Sequence, residues 1–318
     1  MMANPSVKIH TALGLDVSQD SVTLYDSLTR QTLTIDNRRD ALLEALTPFT
    51  DRELAICEAT GGHEDVLLAA LHALGIPAHR ADAAKVKAFI RSYGKRAKTD
   101  PIDARWLAQY GLDRAEKLSR WQPPEACQRQ IEALVARRLD LVAMRRQEQC
   151  RLKAPRALLA DDIAGHIAEL DARIRAIETE IQHLIAQHQQ LALRDVALRS
   201  VPGISHVLAP LLIATMPELG SINRHKAASL AGCAPHPKDS GKTNAYRQCS
   251  GGRRQLRPPL FIAALAAARG KNPLADFYRN LLKAGKPKRL ALAAVMRKII
   301  TIANARIRDA LHQHPQLN

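Results

Sequence analysis

The order of strands and helices near the N-terminus constrains the fold of this chain more than any other feature. Residues 11–17, 21–26 and 31–36 are three short runs rich in β-formers and separated by turn residues, the pattern of an antiparallel meander. Residues 37–46 have helical amphipathicity, 54–58 form an apolar run ending in an acid, and Ala-Thr-Gly-Gly then leads into a helix over 63–74. Residues 75–79 read as a further strand and 83–92 as a further helix. The order βββαβαβα predicts a mixed sheet with helices on both faces, because parallel crossovers must lay helices over the sheet. The first and fourth strands become neighbours in such a sheet, and loops leaving apolar strands are where its chemistry sits.

Four acids fall at the positions that this topology brings together. Asp16 lies near the end of the first strand, Glu58 ends the fourth, and Asp100 and Asp103 lie on a later helix. Pro101 directly after Asp100 suits a first helical turn: the aspartate caps free N–H groups and the proline has none to lose. Asp100 and Asp103 then share one helix face. Two interpretations of that pair stand on residues 98–105 alone: a cap plus a surface acid, or two carboxylates held close by a cation. Four carboxylates at one point call for about two divalent cations, and oxygen ligands suit Mg²⁺ or Mn²⁺. Two such ions ~3.5–4 Å apart would clamp the attacking and leaving oxygens of a phosphodiester, as in RNase H-like and RuvC-like nucleases. Just upstream, Lys85, Lys87, Arg91, Lys95, Arg96 and Lys98 come with no acid among them. They form either a phosphate-contacting approach to the carboxylates or a solvated face.

Charge placement points the same way. The net charge is +16, and residues 241–318 hold 16 Lys and Arg against only Asp276 and Asp309. This tail contains apolar helical stretches, so it reads as a folded surface facing a polyanion. Aromatics are only 3%, which argues against a stacking platform and for phosphate-backbone contact. No apolar run reaches the ~18 residues of a membrane span and no signal-peptide core is present, so a cytoplasmic location with no membrane partner is expected. Five scattered cysteines without a C-x-x-C pair fit reduced thiols.

Beyond residue 126 the chain becomes rich in Ala, Leu, Ile, Arg, Glu and Gln. Ile163, Ile167, Leu170, Ile174, Ile177, Ile181, Leu184, His188 and Leu191 step 4-3-4-3, a coiled-coil seam. Residues 131–152 are helical and less regular, and the turn at Lys153-Ala-Pro-Arg156 could fold them back as a hairpin. The seam packs either within the chain or against a second subunit, and its length favours a homo-oligomer, dimer or tetramer. Ser200-Val-Pro-Gly-Ile-Ser205 resembles a helix-hairpin-helix turn able to hold a DNA phosphate, or a turn that serves packing alone. In the loop at Ser240-Gly241-Lys242-Thr243 the ending suggests a phosphate-binding P-loop, but His236 stands where its first glycine belongs, and no strand leads in. Ser240 by itself reads as a turn residue. Lys242, Arg247, Arg253, Arg254 and Arg257 could neutralise phosphate charge there, and Lys286, Lys288 and Arg289 open the last helix with the same capacity. Each set could equally be a solvated loop.

Gly14-Leu-Asp16-Val-Ser, Cys57-Glu58-Ala-Thr-Gly-Gly, Lys98-Thr-Asp100-Pro-Ile-Asp103-Ala, Val201-Pro-Gly-Ile, Ser240-Gly241, Gly251-Gly-Arg253-Arg-Gln-Leu-Arg257 and Ala284-Gly-Lys-Pro-Lys, in this order over nearly the whole chain, resemble the DEDD insertion-sequence transposases. That is insertion-sequence family one hundred and ten, and the glycine-rich arginine segment resembles its eleven-eleven subgroup. The resemblance implies a RuvC-like mixed-sheet domain over 1–125, a coiled-coil or helical hairpin over 126–195, and a mainly helical C-terminal transposase domain over 196–318. It implies an acidic tetrad of Asp16, Glu58, Asp100 and Asp103 binding two Mg²⁺ or Mn²⁺ ions, and Ser240 as a nucleophile that forms a phosphoserine with DNA. Further implied are domains that meet across subunits and a structured guide (bridge) RNA that pairs with donor and target DNA. The competing expectations are a RuvC-like Mg²⁺-dependent structure-specific endonuclease that uses water, with Ser240 a bystander, and a non-enzymatic nucleic-acid scaffold.

Overall fold

The computed structural model describes residues 8–94, 100–154, 159–236 and 248–314, apart from the side chains at 100–102, 236 and 248. The chain divides into two compact units, 1–124 and 125–318.

In the first unit, β1 (Ala12–Val17), β2 (Ser21–Asp26), β3 (Thr32–Asp36), α1 (Arg39–Leu46), β4 (Leu54–Glu58), α2 (Asp65–Ala73), β5 (Ala78–Ala81), α3 (Ala83–Ser92) and α4 (Asp100–Arg114) follow in the expected order. The five strands form one sheet in the order β3-β2-β1-β4-β5. The meander β1-β2-β3 is antiparallel and the pairs β1-β4 and β4-β5 are parallel. The fifth strand lies a few residues later than its composition suggests, because pairing with β4 sets its limits: Ala55 faces Ala78 and Glu58 faces Ala81. Helix α3 starts where it does because the Asp82 carboxylate accepts from the N–H groups of Ala84 (2.8 Å) and Lys85 (3.2 Å).

Side-chain alternation divides the sheet into two faces. Leu13, Leu15, Val17, Leu24, Ala55 and Cys57 pack under α1 and α2. Ala12, Leu54, Ile56 and Ala81 pack on the other side with Leu107, Ala108 and Tyr110 of α4 and Val86 and Phe89 of α3. Helix α4 sits unusually close to β1. A methyl group on Gly14 would lie 1.8 Å from the Ala104 carbonyl oxygen and 2.5 Å from the Ala108 nitrogen. Likewise a methyl on Gly111 would lie 2.1 Å from Cδ1 of Ile56.

A buried ion pair closes the end of this unit opposite to the exits of β1 and β4. Asp26 is fully buried and accepts from Nε and Nη2 of Arg52, each at 2.9 Å. It also accepts from the Thr29 hydroxyl and the Leu28 and Thr29 N–H groups, which fastens the β2-β3 turn. Burial alone would push the carboxyl upward, yet the hydrogen bonds from Arg52, Thr29 and the turn backbone outweigh it and lower the pKa from 3.8 to about 2.

The second unit is helical: α5 (Ala126–Leu152), α6 (Ala160–Gln187), α7 (Gln189–Arg199), α8 (Leu208–Thr215), α9 (Arg224–Leu230), the short pair β6 (Pro235–His236) and β7 (Gln248–Cys249), then α10 (Arg257–Arg269), α11 (Pro273–Lys283) and α12 (Lys288–Gln313). Helices α5 and α6 form an antiparallel hairpin. Arg138 pairs with Glu178 and Arg145 with Asp171, both at 2.6 Å, while Leu141, Leu170 and Ile174 fill the seam between them. The heptad register does not continue as one helix to Leu191. His188 adopts an extended conformation, φ −113° and ψ 108°, so that Leu191 and Leu198 of α7 join the core around α8, α10 and α12. Ile163 and Ile167, at the distal end of the hairpin, are half-buried.

The turn between α7 and α8 packs closely against α10. A methyl on Gly203 would meet the Ala263 carbonyl oxygen of α10 at 2.3 Å, and the Ser205 hydroxyl accepts from the N–H groups of Val207 and Leu208, both at 3.3 Å. The first turn of α8 is therefore capped by its own chain. Helix α12 threads this core, and buried Asn304 on it accepts from the Gly220 N–H (2.9 Å) and donates to the Ile222 carbonyl (2.8 Å). The five cysteines are free, and no helix among the described residues is long and apolar enough to cross a membrane.

Two outcomes follow from the first unit. Replacing Asp26→Asn leaves the buried Arg52 guanidinium with exposed Asp51 as its remaining carboxylate partner and should lower unfolding stability by about 3 kcal/mol at neutral pH, measured by urea unfolding of the full chain. The wild-type pair contributes fully above the unfolded value of 3.8 and loses its contribution as pH falls toward 2. The variant should lack that acid step. Gly14→Ala should force α4 away from the sheet and cost about 1–3 kcal/mol, with near-wild-type stability as the contrary result.

Candidate active site

The contacts of α4 with the sheet fix which way it runs. Its Ala104 lies over Gly14, and its Gly111 lies over Ala12 and Ile56. The helix thus runs antiparallel to β1, and its N-terminal turn reaches toward the C-terminal end of that strand. Asp16 is two residues beyond Gly14, so it points to the same face as Gly14, toward α4. Glu58 bears the same relation to Ile56.

The parallel register Gly14 with Ile56 and Leu15 with Cys57, extended one step, sets Asp16 beside Glu58 on strands about 4.8 Å apart. Asp103 precedes Ala104 at the N-terminal end of α4 and is half-buried, as are Asp16 and Glu58. Three of the four sequence-predicted acids therefore share one face and one end of the sheet. Asp100 occupies the first residue of α4, and its side chain lies outside the described set.

These donors are oxygen carboxylates with strand-fixed backbones, which suits Mg²⁺ or Mn²⁺ rather than a thiolate- or imidazole-seeking ion. Among the described residues no three His, Cys, Asp or Glu side chains gather closely enough to hold a metal ion. Asp16, Glu58 and Asp103 thus share one face and one end of the sheet without forming a metal-holding cluster among the described residues.

Two polar residues that the sequence did not announce fix the loops carrying these acids. Glu64 is 2% exposed. One of its oxygens accepts from the Thr60 N–H (3.0 Å), the Thr60 hydroxyl (2.8 Å) and the Gly62 N–H (2.9 Å), and the other lies 3.6 Å from Arg80 of β5. Burial opposes ionisation of Glu64, but the backbone and Thr60 hydrogen bonds prevail and lower its pKa. The loop leaving β4 at Glu58 is thereby tied down, and Gly62, at φ +114°, supplies a turn that an L side chain rarely adopts. Asn37 then bridges two strand exits: its amide nitrogen donates to the Ser18 carbonyl after β1 (3.0 Å) and to the His63 carbonyl after β4 (2.9 Å). No short motif marks either residue, since their partners are mostly backbone atoms; an acid just after a Gly-Gly turn is the only trace.

Of the sequence-predicted basic residues, Lys85, Lys87 and Arg91 are exposed on α3, and Arg254, Lys286, Lys288 and Arg289 are exposed in the second unit. Arg253 pairs instead with Glu218 at 2.7 Å, and Arg257 donates to the Gly251 carbonyl at 3.1 Å. Among the described residues, the buried Nη1 of Arg253 and Nε of Arg257 have no hydrogen-bond partner. Both arginines follow β7, whose pairing with β6 brackets residues 237–247. Ser240, Lys242 and Arg247 within that bracket, and Lys95, Arg96 and Lys98 before α4, lie outside the described residues.

Comparison with known proteins agrees with this arrangement. Residues 13–159 match a family model described as a transposase of the DEDD type, and residues 195–279 match the Transposase IS116/IS110/IS902 family. The chain is 30% identical over 229 residues to the pilin gene-inverting proteins of Moraxella lacunata and Moraxella bovis, covering 70% of this chain and 70% of each relative. It is also 29% identical over 153 residues to an uncharacterized 44.8 kDa protein of insertion element IS116 from Streptomyces clavuligerus, covering 48% of this chain and 37% of that protein. With both halves matched in order and the carboxylates on one face of a mixed sheet, the chain belongs to the IS110 family of transposases, enzymes that recombine DNA.

Proposed function

We propose that this transposase is RNA-guided and cuts and rejoins DNA by two-metal chemistry at Asp16, Glu58, Asp100 and Asp103 with Ser240 as nucleophile. The observation that carries the metal assignment is the placement of Asp16, Glu58 and Asp103 on the α4 face at the exits of β1 and β4. These carboxylates would hold two Mg²⁺ or Mn²⁺ ions, which when bound stabilise charge on the attacking and leaving oxygens. The Ser240 oxygen attacks a DNA phosphorus and forms a phosphoserine ester while one DNA hydroxyl is released. Attack on that ester by the hydroxyl of another strand rejoins the backbone and returns the serine. Each step exchanges one phosphate ester for another, so no external energy source is required. The gene-inverting name of the Moraxella relatives favours rejoining over simple cutting, because inversion requires both.

Arg253 and Arg257, whose buried guanidinium nitrogens have no hydrogen-bond partner among the described residues, would meet phosphate charge, and Lys242 and Arg247 would add to it. Exposed Lys85, Lys87, Arg91, Lys286, Lys288 and Arg289 would contact donor or target DNA or a structured guide RNA through the backbone, leaving sequence choice to base pairing. The protein would act in the cytoplasm as a homo-oligomer, dimer or tetramer, with the α5-α6 hairpin contributing a coiled-coil contact through half-buried Ile163 and Ile167.

One experiment tests this mechanism. The full chain is incubated with DNA carrying its element ends and Mg²⁺, then denatured and resolved on a gel. Wild type should give a protein–DNA adduct, Ser240→Ala should give neither adduct nor cleavage, and Asp103→Asn should reduce cleavage at least about 100-fold. Cleavage that persists in Ser240→Ala without an adduct would assign the attack to water and overturn the serine mechanism.

A further inference from the structure

The chain has only 4 Phe, 5 Tyr and 2 Trp, yet Phe89, Tyr93, Trp106 and Tyr110 gather between α3 and α4. Ring centroids are 5.2 Å apart for Phe89 and Tyr93, 5.2 Å for Phe89 and Tyr110, and 5.0 Å for Tyr93 and Trp106. Phe89 and Tyr110 are buried and join the helices to the sheet core. Tyr93 is different: it is 48% exposed, and Trp106 beside it is half-buried. Packing of the two helices does not require an aromatic ring in water at that position.

We propose that Tyr93 and Trp106 form a stacking site for an unpaired base of the DNA strand that enters the carboxylate face. Three features of the site support this occupant. Trp106 follows Asp103 by three residues on α4, so the two are neighbours along one helix face. Trp106 therefore lies one helical turn from a candidate metal-holding acid, and Tyr93, hydrogen-bonded to Asp113, lies further along α4. The Tyr93 ring is fixed in place: its hydroxyl donates to Asp113 at 2.5 Å, and Gln109 donates to the other Asp113 oxygen at 2.8 Å. A pre-ordered ring loses little rotamer freedom when a base stacks on it. Lys85, Arg91 and Arg105 on the same two helices are exposed and offer positive charge to the flanking phosphates, while the Asp113 carboxylate is engaged by Tyr93 and Gln109. Stacking tolerates any base, which suits a protein that leaves sequence choice to pairing.

The proposal rests on the reading of Asp16, Glu58 and Asp103 as the reacting centre, and its test is made in EDTA so that the two fail separately. The full chain carrying Trp121→Phe keeps Trp106 as its single tryptophan. Its fluorescence is followed on titration with oligo-dT, with an abasic oligodeoxynucleotide of equal length and charge, and with oligo-U. Oligo-dT should quench Trp106 and bind more tightly than the abasic strand. Tyr93→Leu should weaken oligo-dT binding about 5- to 100-fold and leave abasic binding unchanged, whereas Tyr93→Phe, which keeps the ring and loses only its anchor to Asp113, should weaken oligo-dT binding less than Tyr93→Leu and leave abasic binding unchanged. Equal binding of oligo-dT and abasic strand, or equal weakening of both by Tyr93→Leu, would overturn the site. Stronger quenching by oligo-U than by oligo-dT would assign it to RNA and overturn the DNA assignment. If Asp103→Asn abolishes cleavage while Tyr93→Leu changes nothing in EDTA, the stacking site falls and the metal reading stands.

Discussion

The structure of the first unit depends on how closely α4 can approach β1. Helix packing on a sheet normally keeps side chains between the two backbones, but here the Ala104 carbonyl occupies the space that a Cβ on residue 14 would need. Only glycine permits that. The consequence is positional rather than energetic alone: with the helix backbone against the strand, short aspartates on α4 can serve the same space as an aspartate on β1. Gly14 is thus a determinant of the site, although it carries no functional group.

Polar groups that anchor loops divide between the two ends of the same sheet. At one end the Asp26–Arg52 pair locks the β2-β3 turn to the segment preceding β4. At the other, Glu64 and Asn37 hold the loops that leave β4 and β1. Asp26 and Glu64 are buried and satisfy backbone N–H groups of their loops, while Asn37 ties two exposed carbonyls together. A carboxylate pair at the strand exits needs backbones that do not drift when charge is brought in. The Glu64 and Asn37 contacts supply that restraint.

Much of this was legible in the sequence because it was local. The period-2 runs of β1 to β3 and the apolar run at β4 revealed the sheet order, and Asp-Pro at 100–101 marked the start of α4. What escaped depended on distant partners. The heptad pattern through Leu191 was sound as a pattern, yet the chain breaks at His188 because Leu191 and Leu198 bury better against the α8-α10-α12 core than along the hairpin. Glu64 and Asn37 work through backbone atoms that no spacing encodes. The low aromatic content hid a local concentration at Phe89, Tyr93, Trp106 and Tyr110, since composition averages over position. Ser240 was singled out through family resemblance, because a Ser-Gly turn by itself has no chemical signature.

The central claim is that Asp16, Glu58, Asp100 and Asp103 face a common divalent-ion site. Affinity cleavage addresses it most directly. Fe²⁺ is substituted for Mg²⁺ in the full chain, and ascorbate and peroxide generate hydroxyl radicals that cut the backbone next to the bound ion. The account predicts cuts close to Asp16, Glu58 and the start of α4, suppressed by excess Mg²⁺ and lost in Asp16→Asn. Cuts confined to other segments, or an Asp16→Asn pattern identical to wild type, would contradict it.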